Sequence, residues 1–119
     1  MAYNILIVDD QQIMRKLLRK ILSVKHNIVG EAKNGVEAIE KFKQLDIDLI
    51  ILDVRMPKKD GFETISEIKE LDENQKVIMC TSVDNHDNVM KLMEKGADAY
   101  MVKPYKKDKL LDTIDEVMN

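Results

Sequence analysis

Three carboxylates and one ammonium group in this chain stand directly after apolar runs, where each run ends. These residues are Asp9, Asp10, Asp53 and Lys103. If the runs are neighbouring parallel strands, their carboxyl ends gather the four groups at one edge of a sheet, which is where open α/β sheets bind ligands. Clustered carboxylates at such an edge are suited to holding a hard divalent cation.

The crowded carboxylates create an electrostatic conflict. Two of them ~4 Å apart repel by roughly 4 kcal/mol at an effective dielectric of ~20, so without a counter-charge at least one pKa is expected to rise. Mg²⁺ removes the conflict because it accepts one or two carboxylates, keeps several waters and leaves room for a phosphate oxygen. Lys103 adds a compact positive charge for the same anion. These residues therefore predict a site for a phosphate group carried on bound Mg²⁺.

A fourth apolar run ends in hydroxyl groups, at Thr81 and Ser82. A hydroxyl at this edge can donate to a phosphoryl oxygen, and phosphoryl transfer needs positioning and charge neutralisation more than covalent machinery. A carboxylate can itself accept the phosphoryl group and form an acyl phosphate. Asp53 is the best-placed acceptor because it ends the central apolar run, between the acidic pair and Thr81.

The elements that must position these residues alternate along the chain. Short apolar runs are typical of strands buried on both faces, and the stretches between them carry apolar residues at helical spacing. The predicted strands span residues 4–8, 28–32, 48–53, 76–81 and 99–102. Five such units predict an α/β, doubly wound (βα)5 fold: a three-layer sandwich with a five-stranded parallel sheet and right-handed crossovers.

Composition narrows the class of protein. The 119 residues suit one domain, which we expect to span residues 1–119, and a hydrophobic content of 45% is enough for a core. A net charge of −3 gives no reason to expect nucleic-acid binding. No apolar stretch is long enough to span a membrane, and the N-terminus lacks the pattern of a secretory signal. We therefore expect a cytoplasmic protein that binds neither nucleic acid nor membrane.

Three further residues could bind metal or react, and we expect none of them to do so. Cys80 is the only cysteine, lies in an apolar run and is expected to be buried and inert. His26 and His86 have no ligand partners near them in the sequence, so we expect both on the surface.

Taken together, the motifs resemble those of the receiver domain of bacterial two-component response regulators, of the single-domain, CheY-like type. They are, in chain order, Val8-Asp9-Asp10, Asp53 with Met56-Pro57 and Asp60-Gly61, Thr81-Ser82, Tyr100 and Lys103-Pro104. Each motif is weak alone, but all of them occur in order at the expected element ends. The resemblance covers essentially the whole chain and implies a flavodoxin-like sheet of order 2-1-3-4-5, which periodicity alone does not give.

The resemblance also implies residue roles. Asp53 would be the phosphoacceptor, and Lys103 would contact the phosphoryl group. Thr81 would move toward the phosphate on activation. Tyr100 would change rotamer with it, which would alter the face formed by the fourth helix, the fifth strand and the fifth helix. The Lys103-Pro104 peptide would be cis, a state that belongs almost entirely to X-Pro bonds.

The implied magnesium ligands come from the same motifs. Asp10 and Asp53 would bind Mg²⁺ directly, Asp9 largely through water, and the backbone carbonyl of Arg55 would complete the set. Arg55, Ser82 and Tyr105 depart from the commonest forms in the family. None of these departures removes a required group, but they leave the dephosphorylation rate open.

The expected function is a phosphoacceptor switch. A histidine kinase would phosphorylate Asp53 with Mg²⁺, and a partner would read the altered face. We expect a monomer that phosphorylates itself and loses the phosphate slowly, not a turnover enzyme. Chemotaxis is the favoured setting, with a flagellar motor switch as target. A phosphorelay intermediate that serves a phosphotransferase, or a receiver cut from a longer transcriptional regulator, remains open.

Two other classes of protein share parts of this pattern. Aspartate-based phosphohydrolases carry a second Asp two residues after the nucleophile, where this chain has Arg55. Flavodoxin-type cofactor binders place a loop rich in hydroxyls and glycine after the first strand. Here Asp9 and Asp10 occupy that loop and would repel a flavin phosphate. The chain also lacks a P-loop.

Overall fold

The computed structural model describes residues 1–82 and 86–119 of the chain. In this part, five strands alternate with five helices. The strands are β1 Asn4–Val8, β2 Asn27–Ala32, β3 Leu49–Asp53, β4 Lys76–Thr81 and β5 Ala99–Val102. The helices are α1 Gln12–Leu22, α2 Gly35–Gln44, α3 Gly61–Leu71, α4 His86–Glu94 and α5 Lys107–Met118.

The strands form one parallel sheet in the order β2-β1-β3-β4-β5. This confirms the predicted fold class and the strand order that the resemblance implied. The order reverses between β1 and β3, so the carboxyl ends of these two strands border the crevice where such sheets bind ligands. In the register of the sheet, Asp53 of β3 lies beside Cys80 of β4.

Each face of the sheet has its own apolar core, because successive side chains of a strand point to opposite faces. Ile7 and Ile51 pack with residues of α1 and α5 on one face. Leu6 and Leu52 pack with residues of α2, α3 and α4 on the other. All four are buried. Since such interiors are close-packed and resist deformation, the edge that carries the candidate site is held firmly from both sides.

Two helices begin at residues whose side chains cap them. Asn34 caps α2, since its side chain accepts a hydrogen bond from the Glu37 N–H at 2.9 Å. Asp60 caps α3 in the same way and forms a reciprocal capping box with Glu63. Caps of this kind satisfy the free N–H groups of a first helical turn and are worth about 1 kcal/mol each.

The prediction that His26 is a surface residue is wrong, because the start of the chain covers it. His26 is only 6% exposed. Its ring stacks on Tyr3, with 5.4 Å between ring centroids, and its Nδ1 accepts the Tyr3 N–H at 3.2 Å. Burial lowers the pKa of His26. The side chain of His86 lies outside the described residues.

Two other predictions can be compared with the structure directly. Cys80 is fully buried, as its apolar run predicted. Along residues 1–82 and 86–119, no helix combines the length and the apolar character needed to cross a membrane.

Candidate functional site

The four charged residues that the sequence singled out meet at one edge of the sheet. The ammonium Nζ of Lys103 lies 2.8 Å from Oδ2 of Asp9 and 3.3 Å from Oδ1 of Asp53. Carboxylate oxygens of Asp9, Asp10 and Asp53 all lie within 4.8 Å of one another. Residues separated by up to 94 positions therefore form a single cluster.

Burial differs among these groups. The side chains of Asp9 and Asp53 are 1% and 8% exposed, and that of Lys103 is 15% exposed. Asp10 is exposed. The cluster therefore has a buried part, in which Asp9 and Asp53 share one lysine, and a solvent-exposed part at Asp10.

Burial and charge shift the pKa values of Asp53 and Lys103. Burial raises the pKa of Asp53 to about 6, and the negative charge of Asp9 adds to this effect against the opposing charge of Lys103. Burial by itself would lower the pKa of Lys103, but the hydrogen bond to Asp9 and the charge of Asp53 outweigh it, so the pKa is raised. Lys103 thus stays protonated, and its positive charge contacts two of the three carboxylates.

Asp9 is held in place from several sides. Its Oδ1 accepts the N–H of Gln11 at 2.9 Å at the start of α1, and its Oδ2 accepts from Lys103. Its own N–H donates to the Ala32 carbonyl at 3.0 Å. Asp9 therefore supports the beginning of α1 and belongs to the charged cluster at the same time.

The donor set fits a divalent cation. Carboxylate oxygens are the ligands that Mg²⁺ prefers, and Mg²⁺ is usually held by one or two of them together with water. In this cluster Lys103 contacts two of the three carboxylates, so negative charge is left over at the open side near Asp10. An added cation would favour the ionised form of Asp53 and so lower a pKa that burial and the charge of Asp9 raise.

The remaining predicted residues lie on strands of the same sheet or directly after them. Thr81 is buried at the end of β4, one residue after the neighbour of Asp53 in the sheet register. Arg55 is exposed, two residues beyond Asp53. Tyr100 lies on β5 beside Met79 and is 38% exposed. The Lys103-Pro104 peptide is cis, as the resemblance implied.

Sequence reasoning missed one contact beneath the site. The side chain of Tyr105 packs against the apolar cluster that contains Cys80, the strand neighbour of Asp53. Burial raises the pKa of the Cys80 thiol to about 12 and raises the pKa of Tyr105 as well. Both groups therefore keep their protons at neutral pH. The packing of Tyr105 fastens the residue after Pro104 to the sheet.

The Asp60-Gly61 motif has a steric reason in the structure. A Cβ on Gly61 would lie 2.5 Å from the carbonyl oxygen of Asp53 and 2.7 Å from Cα of Val54. Both are backbone atoms that cannot turn aside. The Gly61 N–H also donates to the Val54 carbonyl at 2.7 Å. Only glycine lets the start of α3 approach the chain this closely behind Asp53.

We therefore expect Gly61→Ala to destabilise the fold by about 1–3 kcal/mol, as overpacking generally does. Urea unfolding followed by circular dichroism measures this change. Gly30→Ala is the matched control, because its Cβ would meet the flexible end of the Leu45 side chain at 3.0 Å, and should cost less. Equal losses in the two variants would contradict the steric explanation.

Comparison with known proteins agrees with this geometry. The family model of the response regulator receiver domain matches residues 5–115. The chain is 46% identical over 118 residues to the chemotaxis protein CheY of Halobacterium salinarum, covering 99% of this chain and 98% of that protein. It is 39% identical to the chemotaxis protein CheY of Bacillus subtilis, covering 100% of each.

A solved structure gives the same result. The fold matches a chain of the CheX-CheY-BeF3-Mg+2 complex from Borrelia burgdorferi with a TM-score of 0.95 and 37% identity, covering 98% of this chain and 90% of that chain. The chain therefore belongs to the response regulator receiver domain family and is CheY-like along its whole length.

Proposed function

We propose that the protein is a phosphoacceptor switch in which Asp53 takes a phosphoryl group from a histidine kinase in a Mg²⁺-dependent reaction. The observation that carries this proposal is the cluster itself. The Asp53 carboxylate lies 3.3 Å from the Lys103 ammonium and within 4.8 Å of the carboxylate oxygens of Asp9 and Asp10. This arrangement offers a nucleophile, a fixed cation and oxygen ligands for a metal in one place.

The transfer step follows from these groups. An oxygen of the ionised Asp53 carboxylate attacks phosphorus, the bond from phosphorus to the donor nitrogen breaks, and an acyl phosphate forms. Lys103 sits where it can stabilise charge on the phosphoryl oxygens. Since the pKa of Asp53 is about 6, the acceptor is mostly ionised at neutral pH.

Mg²⁺, when bound, would neutralise the charge of the phosphoryl oxygens. Asp10 and Asp53 would hold it directly, the backbone carbonyl of Arg55 would complete the protein ligands, and Asp9 would act largely through water. The charge left over at the open side of the cluster supports this assignment.

The same site argues for a switch that loses its phosphate slowly and not for an enzyme that turns over a substrate. An aspartate-based phosphohydrolase would need a second carboxylate two residues after the nucleophile, and Arg55 occupies that position. The acyl phosphate would therefore persist long enough to be read by another protein.

The signal would pass from Thr81 to Tyr100. Thr81 ends β4 beside the acceptor strand, and Tyr100 lies on β5, the next strand, with part of its side chain at the surface. A shift of Thr81 toward the phosphate would change the packing around Tyr100 and thus the surface formed by α4, β5 and α5. A downstream partner would recognise the altered surface.

We place this switch in chemotaxis, in the cytoplasm, with a motor-switch protein as its target. Similarity to chemotaxis proteins named CheY over the full chain supports this setting. The alternatives are a phosphorelay intermediate and the receiver of a longer regulator. Capture of partners with and without beryllofluoride distinguishes them: motor-switch or chemotaxis proteins retained only with the mimic support chemotaxis, and a phosphotransferase supports a relay.

Labelling by acetyl phosphate tests the central proposal. We expect the wild-type protein to gain one phosphoryl group on Asp53 with Mg²⁺ present and almost none with EDTA, as measured by mass spectrometry of the intact protein and its peptides. Asp53→Asn should give only background labelling. Labelling of Asp53→Asn at the wild-type level, or wild-type labelling that ignores Mg²⁺, would refute the assignment.

A further inference from the structure

Arg15, in the first half of α1, contacts the backbone of the acidic pair. Its guanidinium NH1 donates to the carbonyl oxygen of Asp9 at 2.7 Å, and its Nε donates to Oε1 of Glu31 at 3.2 Å. The Arg15 side chain is only 16% exposed. Helical side chains point back toward the N-terminus of their helix, which brings Arg15 over the turn that precedes α1.

The carbonyl that Arg15 binds belongs to the peptide joining Asp9 to Asp10. The orientation of this peptide sets the direction in which Asp10 leaves the turn. On the other side of Asp9, its N–H is bound to the Ala32 carbonyl at 3.0 Å. Hydrogen bonds from Arg15 and to Ala32 therefore fix the backbone of Asp9 on both sides, directly before the exposed carboxylate of Asp10.

Glu31 of β2 keeps Arg15 in this orientation. Its Oε2 pairs with NH2 of Arg19 at 2.6 Å while its Oε1 binds Arg15. Arg15 and Arg19 thus share one acidic partner, but the contact with the Asp9 carbonyl is made by Arg15. Arg15 and Arg19 therefore lie on the same helix and share Glu31, but the hydrogen bond to the site is the one made by Arg15.

We infer that Arg15 is a positioning residue for the magnesium site, acting through the Asp9 carbonyl to orient Asp10. The inference rests on the proposed function, because it requires that the cluster binds Mg²⁺. Outer contacts of this kind to metal ligands commonly contribute about 10–100-fold in affinity.

Charge alone predicts the opposite effect. A guanidinium beside a cation site repels the cation, so removing it should strengthen Mg²⁺ binding or leave it unchanged. Loss of affinity on removing Arg15 is therefore a signature of positioning and not of the local charge balance.

The test compares Arg15→Met with Arg19→Met, which remove the same charge and each break one ion pair with Glu31. The Mg²⁺ dissociation constant is measured by calorimetry on the unphosphorylated protein, with no phosphodonor present. We expect Arg15→Met to weaken Mg²⁺ binding about tenfold or more, whereas Arg19→Met should stay within about twofold of wild type.

Circular dichroism and urea unfolding show whether each variant is folded. If Arg15→Met does not fold, Arg15→Lys takes its place, since lysine keeps the charge but loses the two-armed contact to Asp9 and Glu31; we expect weaker Mg²⁺ binding there too. Equal affinities for the Arg15 and Arg19 variants would overturn the inference. Absence of Mg²⁺ binding in the wild type would instead reject the proposed function itself.

Discussion

Replacing Asp53 by asparagine is expected to stabilise the Mg²⁺-free protein against unfolding at neutral pH. Burial raises the pKa of this carboxyl from 3.8 to about 6, so the ionised form is less favourable in the folded chain than in the unfolded one. A difference of about 2 pKa units corresponds to about 3 kcal/mol. Asparagine has nearly the same shape without the charge, so the variant should gain up to that amount.

The pH dependence of this gain has a definite sign. Between pH 3.8 and about 6, the folded protein holds a proton on Asp53 that the unfolded chain has already released. By linkage, the contribution of Asp53 to wild-type stability falls as the pH rises through this window and is at its least favourable above it. The advantage of Asp53→Asn should therefore be small near pH ~4 and largest above pH ~7.

Urea unfolding in EDTA across this pH range measures the effect, with Asp46→Asn as the control because Asp46 is exposed and loses the same charge. A constant difference between Asp53→Asn and wild type at every pH would contradict the electrostatic explanation. Mg²⁺ should stabilise the wild type by an amount that grows with the ratio of the Mg²⁺ concentration to the dissociation constant. Mg²⁺ should therefore reduce the stability advantage of Asp53→Asn.

The fold could be predicted from the sequence because each element carries its own local signal. Runs such as Leu49–Leu52 are apolar throughout, since the strand is covered on both faces, and the helices between them repeat at their own period. The end of a buried strand is also where a polar residue becomes visible in the sequence. Asp53 and Lys103 were found for that reason, and parallel pairing then brought them together.

Contacts between distant side chains left no such local signal. The Arg15 guanidinium reaches the Asp9 carbonyl because side chains of a helix point back toward its N-terminus, and Tyr105 packs against the apolar cluster that contains Cys80. His26 looked like a surface residue because its burial depends on Tyr3, which lies 23 positions away. The sequence thus predicted which residues gather at the sheet edge, and the structure was needed to show what supports them.

Lys103→Met is expected to have a large effect on both stability and phosphorylation. Lys103 contacts Asp9 at 2.8 Å and Asp53 at 3.3 Å, and its side chain is only 15% exposed. Removing one member of a buried charge pair costs about 3–5 kcal/mol, because the remaining charge has no partner. In the absence of Mg²⁺ the variant should therefore be less stable, and the pKa of Asp53 should rise further above 6.

The phosphorylation rate of Lys103→Met should fall for a separate reason. Removal of one preorganised donor to a developing charge typically lowers a rate about 10²–10³-fold, so labelling of Lys103→Met by acetyl phosphate should slow to a similar extent even at saturating Mg²⁺. Binding of Mg²⁺ should be preserved or strengthened, because the competing ammonium is gone while the carboxylates remain. Calorimetry and labelling kinetics on the same preparation separate these two effects.

Lys106→Met is the matched control, since Lys106 is exposed nearby and its loss changes the net charge equally. It should keep the stability and labelling rate of the wild type. If Lys103→Met slows labelling only because Mg²⁺ binds more weakly, raising Mg²⁺ would restore the rate. Lys103 would then act by organising the carboxylates and not by stabilising the phosphoryl group. A rate that stays low at saturating Mg²⁺ assigns Lys103 to the transfer step itself.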